Sequence, residues 1–406
     1  MSGTPGECGA AYGAAAAPLI AANVRLYLQR FRDQAGLDAA AVRAAGAAFR
    51  RASTQLLPRV AAMLDGVAEG AGANAEELYA LNGRTELIYG TPYDGDGGCT
   101  SIGVLDTHTT SRTTLLGQNW DWHPAQREAM VVLQTRDEHG FEVITLAEAG
   151  MLAKAGLNSA GLGVCLNMLG SDRDGARDGL VPYHVLLRAV LECDHLGAAL
   201  RVAARTPRGA SLNLLLGQAG TLGQAGTLRQ AGTLRQAGTL RQAGAGTLGQ
   251  AGARRLGQAG TLGQAGRAGE YGGEIIDVEV VPGDIGWLHP VDGYITHANH
   301  IETALPVRDR QRDFGGASLF RGARARRLLG AVVAQRKVHE NDLKAIFRDH
   351  GGYPMAICRH VDERDEPLER AETVYSVLLD LDERRFGLAE GPPCGNKYGF
   401  TRLARS

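Results

Sequence analysis

Cys99 stands directly after Gly97 and Gly98, at the end of the turn-prone run Asp94-Gly95-Asp96-Gly97-Gly98, and it opens a β-type segment. A thiol in that setting can act as a nucleophile, or it can be one more small core residue. Four later blocks carry side chains that could serve such a nucleophile: Gln118-Asn119-Trp120-Asp121-Trp122, Gly156-Leu157-Asn158-Ser159-Ala160-Gly161-Leu162, His297-Ala298-Asn299-His300 and Ile357-Cys358-Arg359-His360. Trp120 and Trp122 could wall an acyl pocket or fill a core. Asn158 reads equally well as the turn residue before Gly161. Arg359 could bind a substrate carboxylate or point into solvent. His297 and His300 have a spacing that could ligate a metal on a helix, but their surroundings read as strand and turn, with no accompanying carboxylate motif. Packing around Asn299, or a hydrogen bond to it, is the expectation for this pair, and no metal is expected.

The remaining cysteines, at 8, 165, 193, 358 and 394, form no Cys-x-x-Cys pair. Their scatter argues for a reducing compartment and against a disulfide scaffold or a structural zinc site. They are read as structural, because nothing beside them suggests a lowered pKa. With 43 Lys+Arg against 44 Asp+Glu in 406 residues, bulk charge does not point to nucleic acid or a membrane surface as partner. The apolar run Ala14 to Ala22 has no basic residue before it, and Arg25 and Arg30 follow it, so it lacks a signal-peptide layout. A cytoplasmic protein is expected.

Elements must position these residues. The first ninety residues repeat apolar side chains three or four apart (Leu56, Val60, Leu64), which predicts a helical layer. After Pro92 come β-type runs at Cys99 to Leu105, Thr113 to Leu116, Met130 to Thr135, Phe141 to Leu146, Gly161 to Asn167, Ser211 to Leu216, Glu274 to Val281 and Thr373 to Leu381. Helical patterns at Val181 to Ala204 and Ala323 to Phe347 separate them, which suggests layered sheets with helical cover.

Residues 217–269 interrupt this plan with eight copies of Gln-Ala-Gly, six arginines and no acid. A six-residue step turns successive leucines by about 240° around a helix, so no single apolar face forms. A left-handed β-helix could use Leu222, Leu228, Leu234 and Leu240, but two units are eight residues long and break the register. A flexible Gly-rich insertion in a hairpin loop is the expectation.

Taken in order, Gly98-Cys99-Thr100, the Gln-Asn-Trp-Asp block, Asn158, Asn299 and Arg359 resemble the penicillin acyltransferase family, the acyl-coenzyme A:6-aminopenicillanic acid acyltransferase-like members of the N-terminal-nucleophile (Ntn) hydrolases. The resemblance implies an α+β fold, a four-layer αββα sandwich of antiparallel sheets, decorated here by the insertion. It also implies a precursor that cuts itself between Gly98 and Cys99, leaving residues 1–98 and 99–406 as two chains of one structural domain. Cys99 would then carry both thiol and free α-amine, whose ordinary pKa values of about 8.5 and about 7.7 to 8.0 allow proton exchange near neutral pH. Asp121 would orient the amine, the Asn299 amide would donate to the oxyanion, and Asn158 would bond the amine or the oxyanion. Arg359, Trp122 and His300 would face substrate. The substrates implied are small amides or acyl thioesters, with no cofactor; a coenzyme A thioester could serve as acyl donor.

Two other readings compete. An unprocessed cysteine hydrolase could pair Cys99 with His123 or His300. A non-catalytic scaffold could place its function in the repeat.

Overall fold

The computed structural model describes residues 1–88, 98–222, 270–314, 316–367 and 369–404. One compact unit comprises Met1–Gly220 and Gly272–Ser406. The second, Thr221–Tyr271, contains a two-stranded antiparallel pair, Thr221–Leu222 with Glu270–Tyr271. The rest of the repeat, and with it the β-helix alternative, lies outside the described residues.

The chain opens on helix Pro5–Ala35, whose start is set by local chemistry. Thr4 accepts from the Glu7 amide while the Glu7 carboxylate accepts from the Thr4 amide, Pro5 fills the first turn, and Gly36 ends the helix at φ 66°. This helix lies against helix Pro58–Ala71 at glycine contacts. A Cβ on Gly9 would fall 2.0 Å from Met63 O, and one on Gly70 would fall 2.0 Å from Ala10 O. Only hydrogen side chains let two helices approach so closely. Helices Ala39–Leu56 and Ala75–Asn82 complete the predicted helical layer.

Two sheets follow. The larger orders its strands Ser2–Gly3, Met130–Asp137, Glu142–Glu148, Gly156–Asn158, Leu162–Met168, Leu212–Gln218, Glu274–Val281 and Asp284–Leu288, antiparallel except for the first pair. The smaller orders Tyr294–His297, Gly98–Val104, Leu115–Trp122, Glu372–Asp380, Arg385–Glu390 and Gly399–Arg402, all antiparallel. Strand Gly98–Val104 faces strand Leu162–Met168 across the interior. Helices Tyr183–Leu191 and Leu196–Arg205 cover the larger sheet, and Ser318–Val333 and Glu340–Phe347 cover the smaller. The architecture is therefore mixed α+β with antiparallel sheets. Among the described residues, no helix is long and apolar enough to cross a membrane.

Both predicted long helices prove to be pairs. Val181 to Ala204 breaks before His195, whose ring accepts from the Ala198 amide at 3.1 Å, and Ala323 to Phe347 breaks before His339, which caps the shorter helix. In each case a local polar cap outcompetes the apolar period that suggested one continuous element.

Candidate active site

Strand pairing builds the site. Cys99 pairs with Trp120 and Gly98 with Asp121, while Asp121 pairs on its other side with Thr373. Because side chains alternate, Cys99, Trp120 and Trp122 share the face towards the larger sheet, and Asn119 and Asp121 take the opposite one. On the first face a small cleft, with about 20 Å³ of free space, exposes Cys99 to Arg84, Trp120, Trp122, Lys154, Met168 and Tyr183. That is room for about one water. The two tryptophan rings stack at 5.8 Å, and the Lys154 ammonium lies 3.8 Å from the Trp120 ring centroid.

Asn299 reaches Cys99 from the end of the edge strand Tyr294–His297. Its Oδ1 accepts from the Cys99 amide at 2.7 Å and from Arg321 at 2.8 Å, and its Nδ2 donates to Met168 O at 2.8 Å. The two donors leave no choice of orientation, since a flipped amide would set N–H groups against N–H groups. Arg321, on helix Ser318–Val333 and almost wholly buried, also donates to Thr100 Oγ1 at 2.8 Å and to the carbonyl of Cys99. Asp121 is held by Thr373, whose hydroxyl donates to Oδ1 at 2.7 Å. Arg321 and Asp121 close on Gly98 from this side, and a Cβ there would lie 2.9 Å from each. Gly98 is therefore the residue that lets both groups approach the Gly98–Cys99 peptide bond.

Burial pushes the Cys99 thiol pKa up and the Asp121 carboxylate adds to the rise, against a Met168 amide that donates to the sulfur and the cations Arg321 and Lys154. The sulfur is thus a neutral thiol at pH 7. The cleft's charge is set by a buried group around Glu148, which bonds Lys154 at 2.9 Å, Arg84 at 3.2 Å and the Tyr27 hydroxyl at 2.7 Å. Burial lowers the Lys154 pKa to about 8 against the pull of Glu148. One carboxylate faces two cations, so the wall beside Cys99 is electropositive.

The structure brings Cys99, Gly98, Trp122 and Asn299 together, with Asp121 against Gly98. Asn158 bonds elsewhere than to Cys99: its amide donates to Leu191 O (2.9 Å) and Cys193 O (2.7 Å), and its Oδ1 accepts from the Leu162 amide before the turn at Gly161. Asn299 Oδ1 holds the Cys99 nitrogen, and one of the two Nδ2 hydrogens goes to Met168 O. Arg359 is buried rather than pointing into solvent, and its backbone exchanges hydrogen bonds with Thr373 at 2.9 and 3.1 Å. His300 reaches Asn299 only through Ser318, which bonds the His300 ring (2.9 Å) and the Asn299 amide N–H (2.7 Å). His297 turns to Glu279 at 2.9 Å, while His123 bonds Pro367 O at 3.2 Å.

Sequence reasoning missed Arg321, Lys154, Arg84 and Thr373. Arg321 falls two residues before the predicted helix start at Ala323, Arg84 and Thr373 sit in ordinary helical and strand context, and Lys154 lies in the bend between two strands. None carries a local signal.

The acyl-coenzyme A:6-aminopenicillanic acid acyl-transferase family matches residues 108–226. The 40 kDa form of acyl-coenzyme A:6-aminopenicillanic-acid-acyltransferase from Emericella nidulans is 31% identical over 219 residues, 53% of this chain and 59% of that relative. The match thus spans little more than half the length of either protein. Among solved structures, penicillin V acylase from Agrobacterium tumefaciens aligns over 75% of this chain and 86% of its own at 12% identity, with a TM-score of 0.43. A mutant of conjugated bile acid hydrolase from Clostridium perfringens aligns over 75% and 98% at 11% identity, with a TM-score of 0.40. Over residues 108–226 this chain is thus similar to the acyl-coenzyme A:6-aminopenicillanic acid acyl-transferase family.

Proposed function

We propose that the chain is a self-cleaving Ntn-type cysteine amidohydrolase or acyltransferase, with Cys99 as nucleophile and the Gly98–Cys99 bond as its processing site. The helix–sheet–sheet–helix contacts support a four-layer αββα reading of the fold. The observation that carries the function is the convergence on one peptide bond: Asn299 on the Cys99 amide, Arg321 on the Cys99 carbonyl, and Asp121 and Arg321 against Gly98.

In processing, the Cys99 sulfur attacks the Gly98 carbonyl carbon. The S–C bond forms as the C–N bond breaks, and the thiol proton passes to the departing nitrogen. Water then hydrolyses the thioester, releasing a Gly98 carboxylate and restoring the thiol beside a new α-amine. Asn299 Oδ1 already accepts from that nitrogen, and Asp121 supplies a nearby carboxylate. The amine then takes over as base for the sulfur, which burial otherwise keeps protonated.

In turnover the thiolate attacks an amide or thioester carbonyl, and water or an amine resolves the acyl-enzyme. Negative charge on the oxyanion develops beside the Lys154 and Arg84 cations and the Met168 amide, where low dielectric strengthens their effect. The acyl group lies along Trp120 and Trp122. The name of the Emericella relative suggests a coenzyme A thioester as donor and an amine as acceptor, with no cofactor required. Among the described residues, no histidine lines the cleft, which disfavours the unprocessed cysteine–histidine alternative.

Intact-mass analysis of the wild type beside Cys99→Ala tests this reading. Two fragments from the wild type, cut after Gly98, and one whole chain from the variant are expected. A wild-type chain that stays whole while turning over an amide would overturn the processing step.

A further inference from the structure

The sequence shows no zinc-binding spacing, yet the fold gathers His350, Cys358, His360 and Cys394 so that one ligand atom of each lies within 4.8 Å of all the others. We infer that these four side chains bind a single zinc ion as a Cys₂His₂ site. The distances fit a common centre. Bonds of about 2.0 to 2.1 Å to nitrogen and about 2.3 Å to sulfur make tetrahedral ligand–ligand edges of roughly 3.4 Å for N–N and 3.6 Å for N–S. Around His360 Nε2 the edges are 3.1 Å to His350 Nε2, 3.4 Å to Cys394 Sγ and 3.8 Å to Cys358 Sγ.

Hydrogen bonding alone does not account for this convergence. An imidazole nitrogen offers one in-plane N–H or one lone pair, and here three groups crowd the same nitrogen. A cation at the centre gives each of the four atoms a bond. Thiolate and imidazole ligands in a tetrahedral S₂N₂ set suit zinc, and the spacing holds one ion rather than a cluster.

The scaffold is organised without the ion. The Cys358 amide donates to Asp349 O, the His360 amide to Pro354 O, and Arg348 reaches across to Pro393 O beside Cys394. Cys358 is buried, while His350 and Cys394 are exposed and leave a path for loading.

The site's consequence for the reaction rests on the function proposed above; the zinc assignment does not. Between Cys358 and His360 stands Arg359, whose backbone holds Thr373, and Thr373 holds Asp121. The ion thereby clamps the segment that positions Asp121 against the Gly98–Cys99 bond.

The test is elemental analysis of the full chain purified under reducing conditions, for the wild type, Cys394→Ser, His350→Ala and, as a control remote from the site, Cys8→Ser. One zinc per chain is expected in the wild type and control, with at least a roughly tenfold drop in each ligand variant. Cobalt exchanged into the wild type should show visible bands of a tetrahedral ion and a thiolate-to-cobalt band in the near ultraviolet. These readouts need neither cleavage nor turnover, so they stand apart from the Cys99→Ala test. Reduced wild-type protein that takes up neither zinc nor cobalt stoichiometrically would overturn the assignment, as would zinc retained in full by both ligand variants.

Discussion

Arg321 is the side chain on which the site's geometry turns, because it binds the Cys99 carbonyl, Thr100 and Asn299 at once. Arg321→Met keeps most of the volume but removes the charge-assisted hydrogen bonds, each worth about 1.5 to 3 kcal/mol. The expected result is a lower melting temperature and a processing rate reduced by roughly tenfold or more, read by intact mass against time. His297 gives a prediction in pH. Burial alone would lower its pKa, but Asp277 and Glu279, with Glu302 nearby, override this and raise it to about 9. Since the folded value lies above the unfolded one of about 6.5, the stabilisation is complete below pH 6.5 and fades as pH rises through 9. Thermal melts from pH 6 to 10 should fall over that window in the wild type and flatten in His297→Gln. Sequence inspection picked out Cys99 by its setting after two glycines, and Asp121 and Asn299 through the family resemblance of the blocks around them. It could not pick out Arg321, whose partners lie on strands far away in the chain.

Among the elements, short buried runs were the most legible. Glu274–Val281 is a strand with the bounds predicted, and Gly98–Val104 differs from its prediction by one residue at each end. The β-type run at Thr113 to Leu116 and the strand expected to end at Asp121 beside Cys99 are one element, Leu115–Trp122. Its polar residues are buried on both faces and bond to neighbouring layers: Gln118 to the backbone of Leu166, and Asn119 to Phe347 O and Ile357 O at 2.8 Å. Asp284–Leu288, Arg385–Glu390 and Gly399–Arg402, at or near sheet edges, lack a clear alternating pattern. The helical layer was legible as helix, but its packing face was not, since that face is defined by absent side chains. Gly70→Val would drive a branched side chain into the Ala10 carbonyl, 2.0 Å from where its Cβ must stand. A loss of about 3 kcal/mol or more is expected, at or above the usual overpacking cost because backbone cannot yield as a side chain can. Chemical denaturation measures it.

On the scale of the whole molecule, the N-terminal helices and the sheets form one cohesive unit even if the chain is cut at Gly98. The Tyr27 hydroxyl and Arg84 bind Glu148, and Asn23 binds Ala149 O at 2.8 Å. The repeat lies between strands Leu212–Gln218 and Glu274–Val281, which pair from Gln218–Glu274 inwards, so the hairpin's ends already adjoin. Replacing residues 221–271 with a short Gly-rich turn should leave the melting temperature within a few degrees and processing intact. A collapse of either would locate function or stability in the repeat. What the chain's order of residues determined by itself was chemical potential and local form: a thiol after glycines, a carboxylate between tryptophans, the periods of helix and strand. These depend on neighbours within a few positions. The tertiary structure decided which groups meet: Arg321 and Asn299 at Cys99, two cations on one carboxylate beside it, and four metal-binding side chains from residues 350 to 394 at one point. Such meetings follow from how sheets pair and layers pack, and contacts between residues so far apart leave no periodic trace in the chain.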